Sequence, residues 1–259
     1  PSRRRASRRT TCSVALGFMA NTAKTRAVTA KRGRAAAPEV PAKKARTSKA
    51  PVAILDDTVL HFPGALTARD LDLLTNHLTT PEVRGELFDA VLHDSTNTQY
   101  GSRRCDAAWL KLASLPGQRK IRAAAAAAQA KWGLLPTTSR GAMRCEYEDV
   151  QYTEYRGDRG GHFKQWHVDA DEGGEDAEDA RVYTLVALLA EPGAEFAGGD
   201  FEVMTPKWPG GKRRAVAWRK GDLIAFPAQK VWHRVMPTTS GLRKTLVIWC
   251  KDPTLAIPQ

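Results

Sequence analysis

Hydrophobic and polar positions follow a helical spacing in two stretches of the first half of the chain. Leucines between Leu66 and Leu78 fall at this spacing directly after Thr67, a residue type that caps the start of helices. A second helix is predicted from about Gln118 to Trp132, because its run of six alanines favours the helical state. Alanine carries no chemistry, so this region is predicted to support a catalytic part elsewhere in the chain.

From about residue 144 onward the pattern changes to short apolar strands separated by Gly, Pro and Asp turns. Such a series is typical of a sandwich or jelly roll, so the predicted fold class is mainly β with supporting helices (α+β). The clearest strands are the segments 221–227, 231–235 and 242–249. Alternation along the last segment places four side chains on one face: Arg243, Thr245, Val247 and Trp249.

The pattern with the most specific chemistry consists of His167, Asp169 and His233. Alternate side chains of a β-strand point to the same face, so His167 and Asp169 can share one metal while Val168 points away. His233, on a later predicted strand, supplies a second imidazole. Two imidazoles and one carboxylate occupy one face of a divalent ion and leave the opposite face open, which suits iron(II) and dioxygen. The sequence therefore predicts a mononuclear iron site.

Arg243 is the candidate anion-binding residue beside this site. A lone guanidinium on an otherwise apolar strand face needs an anion, and a planar carboxylate is its natural bidentate partner. Two alternatives stay open from the residues alone. Arg243 could form a buried ion pair with an acidic residue of the chain, or Lys244 on the opposite face could be the cation instead.

The remaining histidines have simpler interpretations. His162 lies five residues before His167 and is predicted to be a rim residue rather than a metal ligand. Three others have no histidine or carboxylate at metal spacing and are predicted to be structural or surface groups: His61, His77 and His93.

A series of residues between Tyr152 and Trp249 has the order and spacing of a known family's motifs. The shared marks are Tyr155, Gly157, His167-Val168-Asp169, Arg181, Thr184, Gly198-Gly199-Asp200-Phe201, Lys220-Gly221-Asp222, Phe226-Pro227, His233-Arg234-Val235, Pro237, Gly241, Arg243 and Trp249. By these marks, over a bit more than a third of its length, the chain resembles the 2-oxoglutarate and iron(II)-dependent dioxygenases and their prolyl 4-hydroxylase-like branch.

This resemblance implies a fold, a cofactor set and residue roles. The relatives are built as a double-stranded β-helix, a jelly-roll or cupin-like barrel buttressed by helices. The resemblance implies that His167, Asp169 and His233 hold Fe(II), that Arg243 pairs with the distal carboxylate of 2-oxoglutarate, and that Tyr155 and Thr245 lie near the same cosubstrate. The implied reaction consumes 2-oxoglutarate and O2, releases succinate and CO2, and hydroxylates a side chain, peptidyl proline first; ascorbate is an optional addition.

Two features depart from the family pattern. Leu188 stands where some relatives carry a tyrosine that helps to bind the cosubstrate. The acidic run 169–179 is long and highly charged, so the rim near the substrate is expected to differ. Counted from Asp169, the twelfth residue is Ala180, where a calcium loop needs a bidentate glutamate. The run is therefore predicted to be a solvated loop, with a lip that attracts a cationic substrate as the alternative.

The net charge of +12 is concentrated at one end of the chain. Residues 1–50 hold fourteen Lys and Arg against one acid, Glu39, a balance of +13, whereas residues 51–259 hold 26 basic and 27 acidic residues, a balance of −1. A segment so poor in acidic and aromatic residues is predicted to be a disordered basic tail. We divide the remainder into a helical support region at 51–145 and an oxygenase core at 146–259.

Three interpretations of the tail stay open. Lys31-Arg32, followed after ten residues by Lys43-Lys44-Ala45-Arg46, has the form of a two-part nuclear import signal, which favours a nuclear location. The start of the tail, rich in Arg and Ser and free of acids, also resembles an organelle transit peptide. The third interpretation is a solvated basic arm that contacts nucleic acid weakly.

Cysteine spacing and hydropathy limit the class of protein further. The four cysteines have no paired spacing, which argues against a disulfide framework and a zinc site and favours a reducing intracellular compartment: Cys12, Cys105, Cys145 and Cys250. No stretch approaches the roughly eighteen apolar residues of a membrane span, so no membrane association is predicted.

Other functions compete with peptide hydroxylation. An oxidative demethylase or hydroxylase of nucleic acid or of a small molecule would use the same metal, but the nearly neutral core counts against nucleic acid. A non-catalytic adaptor with a nucleic-acid-binding tail would require an incomplete metal motif, and the motif is complete. A peptide or protein substrate is the predicted partner; the sequence leaves the oligomeric state open.

Overall fold

The described part of the chain is a β-rich unit with helices. The computed structural model describes residues 52–53, 58–92, 101–170, 180–205 and 210–255. Contacts divide the chain into Pro1–Arg46 and Thr47–Gln259, and every described residue belongs to the second unit. The predictions on the tail, on His93 and on the acidic run after 170 lie outside the described residues, and the boundary at 146 stays a prediction.

The helices of the described residues are α1 (Ala68–Leu78), α2 (Pro81–Gly85) and α3 (Gln118–Trp132). Thr67 caps α1, because its hydroxyl accepts the Asp70 N–H while the Asp70 carboxylate accepts the Thr67 N–H at 2.8 Å. Both helices predicted from the sequence are confirmed, whereas the short α2 was not predicted. None of the described helices is long and apolar enough to cross a membrane.

The strands are short except for the last, and they run through both the predicted support region and the core. They are β1 (Val52–Ala53), β2 (Leu60–Phe62), β3 (Phe88–Leu92), β4 (Arg103–Leu110), β5 (Glu146–Tyr147), β6 (Val150–Arg156), β7 (His162–His167), β8 (Arg181–Leu188), β9 (Phe196–Gly198), β10 (Phe201–Thr205), β11 (Lys212–Ala215), β12 (Leu223–Pro227), β13 (Trp232–Val235) and β14 (Thr238–Lys251). The three strands predicted with most detail correspond to β12, β13 and β14.

The strands pair antiparallel in the order β1-β2-β12-β8-β14-β6-β4-β7-β13-β10-β11, while β3 pairs with β4, and β5 and β9 pair with β14. β4 changes partner along its length, since residues 106–110 pair with β6 and residues 103–104 pair with β7. This change of partner joins the two halves of the sheet, which curls into a jelly roll. The predicted jelly-roll fold is confirmed.

Apolar side chains form one core outside the curled sheet and one inside it. On β8, Leu185 and Ala187 pack outward in the cluster that contains Ile121 and Ala125 of α3. The alternate residues Val186 and Leu188 belong to the inner cluster. β8 is therefore buried on both faces, and the small alanines of α3 allow the helix to pack closely against it.

Candidate metal centre and its cavity

His167, Asp169 and His233 meet inside the curled sheet. β7 and β13 are paired so that His167 lies directly opposite His233. The candidate ligand atoms of the three residues all lie within 4.8 Å of one another. His233 Nε2 is 3.7 Å from Asp169 Oδ2, and the centroids of the two imidazole rings are 4.2 Å apart.

Asp169 reaches this position from a turn and not from the strand. β7 ends at His167, so the prediction of one strand through His167, Val168 and Asp169 is wrong in this detail. Val168 lines the cavity instead of pointing away from it. The backbone explains the difference, because the Asp169 N–H donates to the Ala228 carbonyl at 3.0 Å, where the chain leaves β7 for the end of β12.

Both imidazoles are oriented by backbone carbonyls. Nδ1 of His167 lies 3.0 Å from the Gln165 carbonyl oxygen, and Nδ1 of His233 lies 3.0 Å from the Val231 carbonyl oxygen. A proton on each Nδ1 satisfies these contacts and leaves each Nε2 lone pair for a metal. The Phe163 ring stacks on the His167 ring at a centroid distance of 3.8 Å and holds it from the side.

The electrostatics of the triad favour the protonation states that bind a metal. Burial and the nearby His233 together lower the pKa of His167 to about 3, although Asp169 acts in the opposite direction. For Asp169, burial acts to raise the pKa, but His233, His167 and the Thr184 hydroxyl outweigh it and hold the pKa below its ordinary value. At neutral pH the triad thus offers a neutral His167 imidazole and the Asp169 carboxylate.

Side chains from β8 hold Asp169 in place. The Thr184 hydroxyl donates to Asp169 Oδ2 at 2.5 Å, and Arg181 Nη1 donates to the Asp169 carbonyl oxygen at 3.2 Å. Arg181 is itself fixed by a bidentate pair with Glu148, both contacts being 2.8 Å, and by the Trp249 ring, 4.2 Å from its guanidinium carbon. Outer partners of this kind fix the orientation of metal ligands.

Arg243 brings an unpaired cation to the same cavity. Its side chain is 1% exposed, and its Nε and Nη2 atoms are buried without a hydrogen-bond partner among the described residues. Burial lowers the pKa of Arg243 to about 10, so the guanidinium stays charged at neutral pH. The rings of Tyr155 and Trp218 lie 5.2 and 5.7 Å from its guanidinium carbon. A buried guanidinium in such surroundings needs an anion.

Gly199 provides the space that Arg243 occupies. A Cβ atom at this position would lie 2.8 Å from Arg243 Cδ and 2.9 Å from the Thr238 hydroxyl oxygen. The backbone of Gly199 also has φ of 66°, a conformation that glycine adopts readily. The Gly198-Gly199-Asp200 sequence therefore has a local physical reason, which is the close approach of the arginine side chain.

The structure places Tyr155 and Thr245 on the wall of the same cavity. Tyr155 is opposite Arg243 in the pairing of β6 with β14. The Thr245 hydroxyl is 2.5 Å from the Thr153 hydroxyl, so it already has a partner. Leu188 is fully buried in the inner core, and Lys244 lines a different cavity on the outer face of the sheet.

The cavity has a volume of ≈ 390 Å³. It is lined by residues of both halves of the sheet: Arg103, Trp109, Gln151, Tyr155, Phe163, His167, Val168, Asp169, Arg181, Val186, Phe201, His233, Val235, Arg243, Thr245, Val247 and Trp249. The four residues predicted to share one face of β14 all lie on this wall. A volume of this order suits a small cosubstrate with part of a substrate.

The donor set fits iron(II) and 2-oxoglutarate. Two imidazole Nε2 atoms and one carboxylate are suitable ligands for iron(II), and they leave part of its coordination sphere open. The orphaned N–H groups of Arg243 fit a carboxylate in the same cavity. A dicarboxylate that chelates the metal at one end and meets the arginine at the other would satisfy both groups.

A comparison with protein families agrees with this chemistry. Residues 150–251 match the model of the 2OG-Fe(II) oxygenase superfamily. Over these residues the chain is similar to the members of this superfamily. The matched range includes the triad, Arg243, Tyr155 and Thr245, and members of the superfamily use iron(II) and 2-oxoglutarate. The assignment of the chain as a dioxygenase is therefore confirmed.

Solved structures share the fold of this oxygenase domain at low sequence identity. A Trichoplax adhaerens prolyl hydroxylase has a TM-score of 0.55 at 15% identity, covering 78% of this chain and 86% of that one. A Pseudomonas putida prolyl-4-hydroxylase has a TM-score of 0.55 at 18% identity, with coverages of 75% and 92%. The viral collagen prolyl hydroxylase of Paramecium Bursaria Chlorella virus-1, in its 2OG complex, has 0.52 at 20% identity, with coverages of 75% and 96%. The search of curated proteins finds no match.

Some residues of the oxygenase domain were not predicted or were predicted differently. Arg103, Gln151 and Phe163 line the cavity but were not singled out, although the alternation along β4, β6 and β7 was a usable signal. His162 is only 8% exposed, so the prediction of a rim position is wrong. Its ring nitrogens lie 2.7 and 2.8 Å from the carbonyl oxygens of Gly160 and Gly101, which hold the ring inside.

Proposed function

We propose that the oxygenase domain hydroxylates a peptidyl side chain, with proline as the first candidate, using Fe(II) and 2-oxoglutarate. The observation that carries the proposal is the buried Arg243 guanidinium, whose Nε and Nη2 atoms have no hydrogen-bond partner among the described residues and which lines the same cavity as the triad. Neither an apolar ligand nor a neutral one would satisfy this charge. A carboxylate that enters the cavity together with a metal would do so.

In this proposal His167, Asp169 and His233 hold the iron, and Arg243 holds the distal carboxylate of the cosubstrate. When bound, iron(II) supplies the redox chemistry that couples decarboxylation of 2-oxoglutarate by dioxygen to hydroxylation, with succinate and CO2 as products. Arg243 fixes the direction in which the cosubstrate enters, which lowers the entropic part of the barrier. Tyr155 and Thr245 complete the wall beside that carboxylate. Ascorbate is a proposed additive only.

The walls of the cavity support a side-chain substrate. Phe163 and Trp249 are apolar surfaces that exclude water near the triad. Trp109 also lines the cavity and is 42% exposed, so the cavity reaches the surface at this residue. A chain segment lying across the opening can insert one side chain while its backbone stays outside. The Trichoplax adhaerens enzyme was solved in complex with a peptide fragment, which supports a peptide as the first substrate class to test.

The test is anaerobic reconstitution of the full chain with Fe(II) and then 2-oxoglutarate. The wild type should develop the weak visible absorption of the metal chelate and form succinate when oxygen is admitted. The His233→Ala variant should lose both signals, because it lacks a metal ligand. The Arg243→Ala variant should keep metal binding but need much more 2-oxoglutarate.

Lys244→Ala is the matched control, since it removes the neighbouring cation on the opposite face of β14. It should behave as the wild type. If Arg243→Ala and Lys244→Ala gave the same 2-oxoglutarate affinity, the cosubstrate assignment would be wrong. Succinate formation without the addition of an oxygen atom to any proline peptide, as measured by mass, would support the reaction type but refute proline as the target.

A further inference from the structure

Arg103 is a further guanidinium on the cavity wall, in addition to Arg181 and Arg243, and the proposed reaction does not use it. It begins β4 and lines the cavity with Trp109 of the same strand. Its Nη2 donates to Gln151 Oε1 at 2.8 Å, and its Nε donates to Cys105 Sγ at 3.2 Å. Its guanidinium carbon lies 5.4 Å from the centre of the Phe163 ring. All of these partners are neutral groups.

Arg103 differs in this respect from other arginines around the sheet. Among the described residues six of them pair with a carboxylate: Arg84 with Glu154, Arg156 with Asp158, Arg159 with Asp106, Arg181 with Glu148, and Arg213 and Arg234 with Glu202. Among the described residues no carboxylate pairs with Arg103. The Asp169 carboxylate acts on Arg103 through space without forming an ion pair with it. The direct contacts of the guanidinium are an amide, a thiol and an aromatic ring, so it retains attraction for an anion.

The position of Arg103 is close to the place of reaction. Arg103 and Phe163 are paired across β4 and β7. The Phe163 ring stacks on His167 at 3.8 Å, so a single aromatic ring separates the guanidinium from a metal ligand. An anion on Arg103 would therefore lie beside the group that is presented to the metal.

Arg103 and Arg243, the two arginines of the cavity wall that do not pair with a carboxylate of the described residues, differ in their accessibility. Arg243 is 1% exposed, so only a small ligand at the bottom of the cavity can reach it. Arg103 is half-buried and shares its wall with the exposed Trp109, so a group on a larger molecule at the opening can reach it. The deeper Arg243 is therefore the better partner for the cosubstrate, and the outer Arg103 is the better partner for the substrate.

We propose that Arg103 is a specificity-determining residue that pairs with a carboxylate of the substrate next to the hydroxylated side chain, so that the enzyme takes acidic peptides. This inference rests on the proposed function. A charge-assisted, partly desolvated pair of this kind gives a preference of roughly tenfold over the neutral amide. The acidic residue would lie within a few positions of the target in the peptide.

The experiment measures peptide binding apart from turnover. The probes are fluorescein-labelled peptides with one central proline and a single Asp, placed at one of the three positions before or after the proline. Each Asp peptide is compared with a control peptide that has Asn at the same position. Fluorescence polarisation is measured on the full chain with Mn(II) in place of iron and with 2-oxoglutarate. At least one Asp peptide should bind roughly tenfold more tightly than its Asn partner. Arg103→Gln should abolish the difference and leave the Asn peptide unaffected.

Arg104→Gln is the matched control, because it removes an exposed arginine from the next position of β4. It should retain the preference for Asp. Arg103→Glu should reverse the preference toward a peptide with Lys at the same position. Thermal unfolding of each variant shows whether it is folded. If Arg103→Gln does not fold, the question is decided by Arg103→Lys and by the difference in wild-type affinity between the Asp and Asn peptides.

The outcomes separate this inference from the proposed function. Equal binding of Asp and Asn peptides to the wild type, or a preference that survives in Arg103→Gln, would overturn the role of Arg103. If such peptides nevertheless gained one oxygen atom with Fe(II), the proposed function would stand alone. An Arg103-dependent preference without hydroxylation would support the anion contact and refute proline as the target. Failure of every peptide to bind would overturn both.

Discussion

Replacing Gly199 with alanine should weaken the proposed 2-oxoglutarate site, because Gly199 lies behind the Arg243 side chain. The backbone φ of 66° costs about 1–2 kcal/mol for a residue with a Cβ atom. The new Cβ would also lie 2.8 Å from Arg243 Cδ and 2.9 Å from the Thr238 hydroxyl, and overpacking of a tight site costs about 1–3 kcal/mol. Gly199→Ala should therefore reduce the free energy of unfolding by about 2–5 kcal/mol.

Gly193→Ala separates the backbone effect from the contact with Arg243. Gly193 has φ of 80°, and a Cβ atom there would meet nothing within 4 Å. This variant should lose only the backbone contribution, about 1–2 kcal/mol. The difference between the two variants, about 1–3 kcal/mol, is then the cost of moving Arg243 and Thr238.

Denaturant unfolding of the full chain and calorimetric titration of its Mn(II) form with 2-oxoglutarate would test this reasoning. A displaced Arg243 makes a poorer bidentate contact, so Gly199→Ala should bind the cosubstrate at least about tenfold more weakly. Gly193→Ala should bind it as the wild type does. Equal stability losses and equal affinities in the two variants would refute the claim that Gly199 makes room for the arginine.

Three further predictions concern other parts of the chain. Thr184→Val removes the hydroxyl that donates to Asp169 Oδ2 and should weaken Mn(II) binding about 10–100-fold in a metal titration; an unchanged affinity would show that Asp169 does not need this partner. Thr67→Ala removes the cap of α1 and should reduce the free energy of unfolding by about 0.5–2 kcal/mol in urea, with no change in 2-oxoglutarate affinity. Deletion of residues 1–50 should leave succinate formation unchanged, and a loss of turnover would give the basic tail a catalytic role.

Local sequence patterns were sufficient to predict α1, α3 and most of the strands near the site, but not the short α2. Thr67 and the alanine run define the start of α1 and the body of α3, since capping and propensity act over a few residues. Strict alternation along β14 was enough to place Arg243 and Thr245 on one face. The same reasoning failed at Asp169, because the chain leaves β7 after His167 to meet Ala228, and no local pattern marks that departure.

The sequence by itself determined the candidate metal ligands, one candidate anion-binding arginine and the fold class, because these depend on residue identity, spacing and period. Only the tertiary structure decided which other cations line the cavity and which of them are paired with a carboxylate. Arg103 faces the triad because β4 changes partners from β6 to β7, and Arg181 is neutralised because Glu148 lies within 2.8 Å of it. Both contacts are made between residues that are far apart in the chain. Whether a cation on the cavity wall stays unpaired depends on every group that packs around it, which the sequence alone does not give.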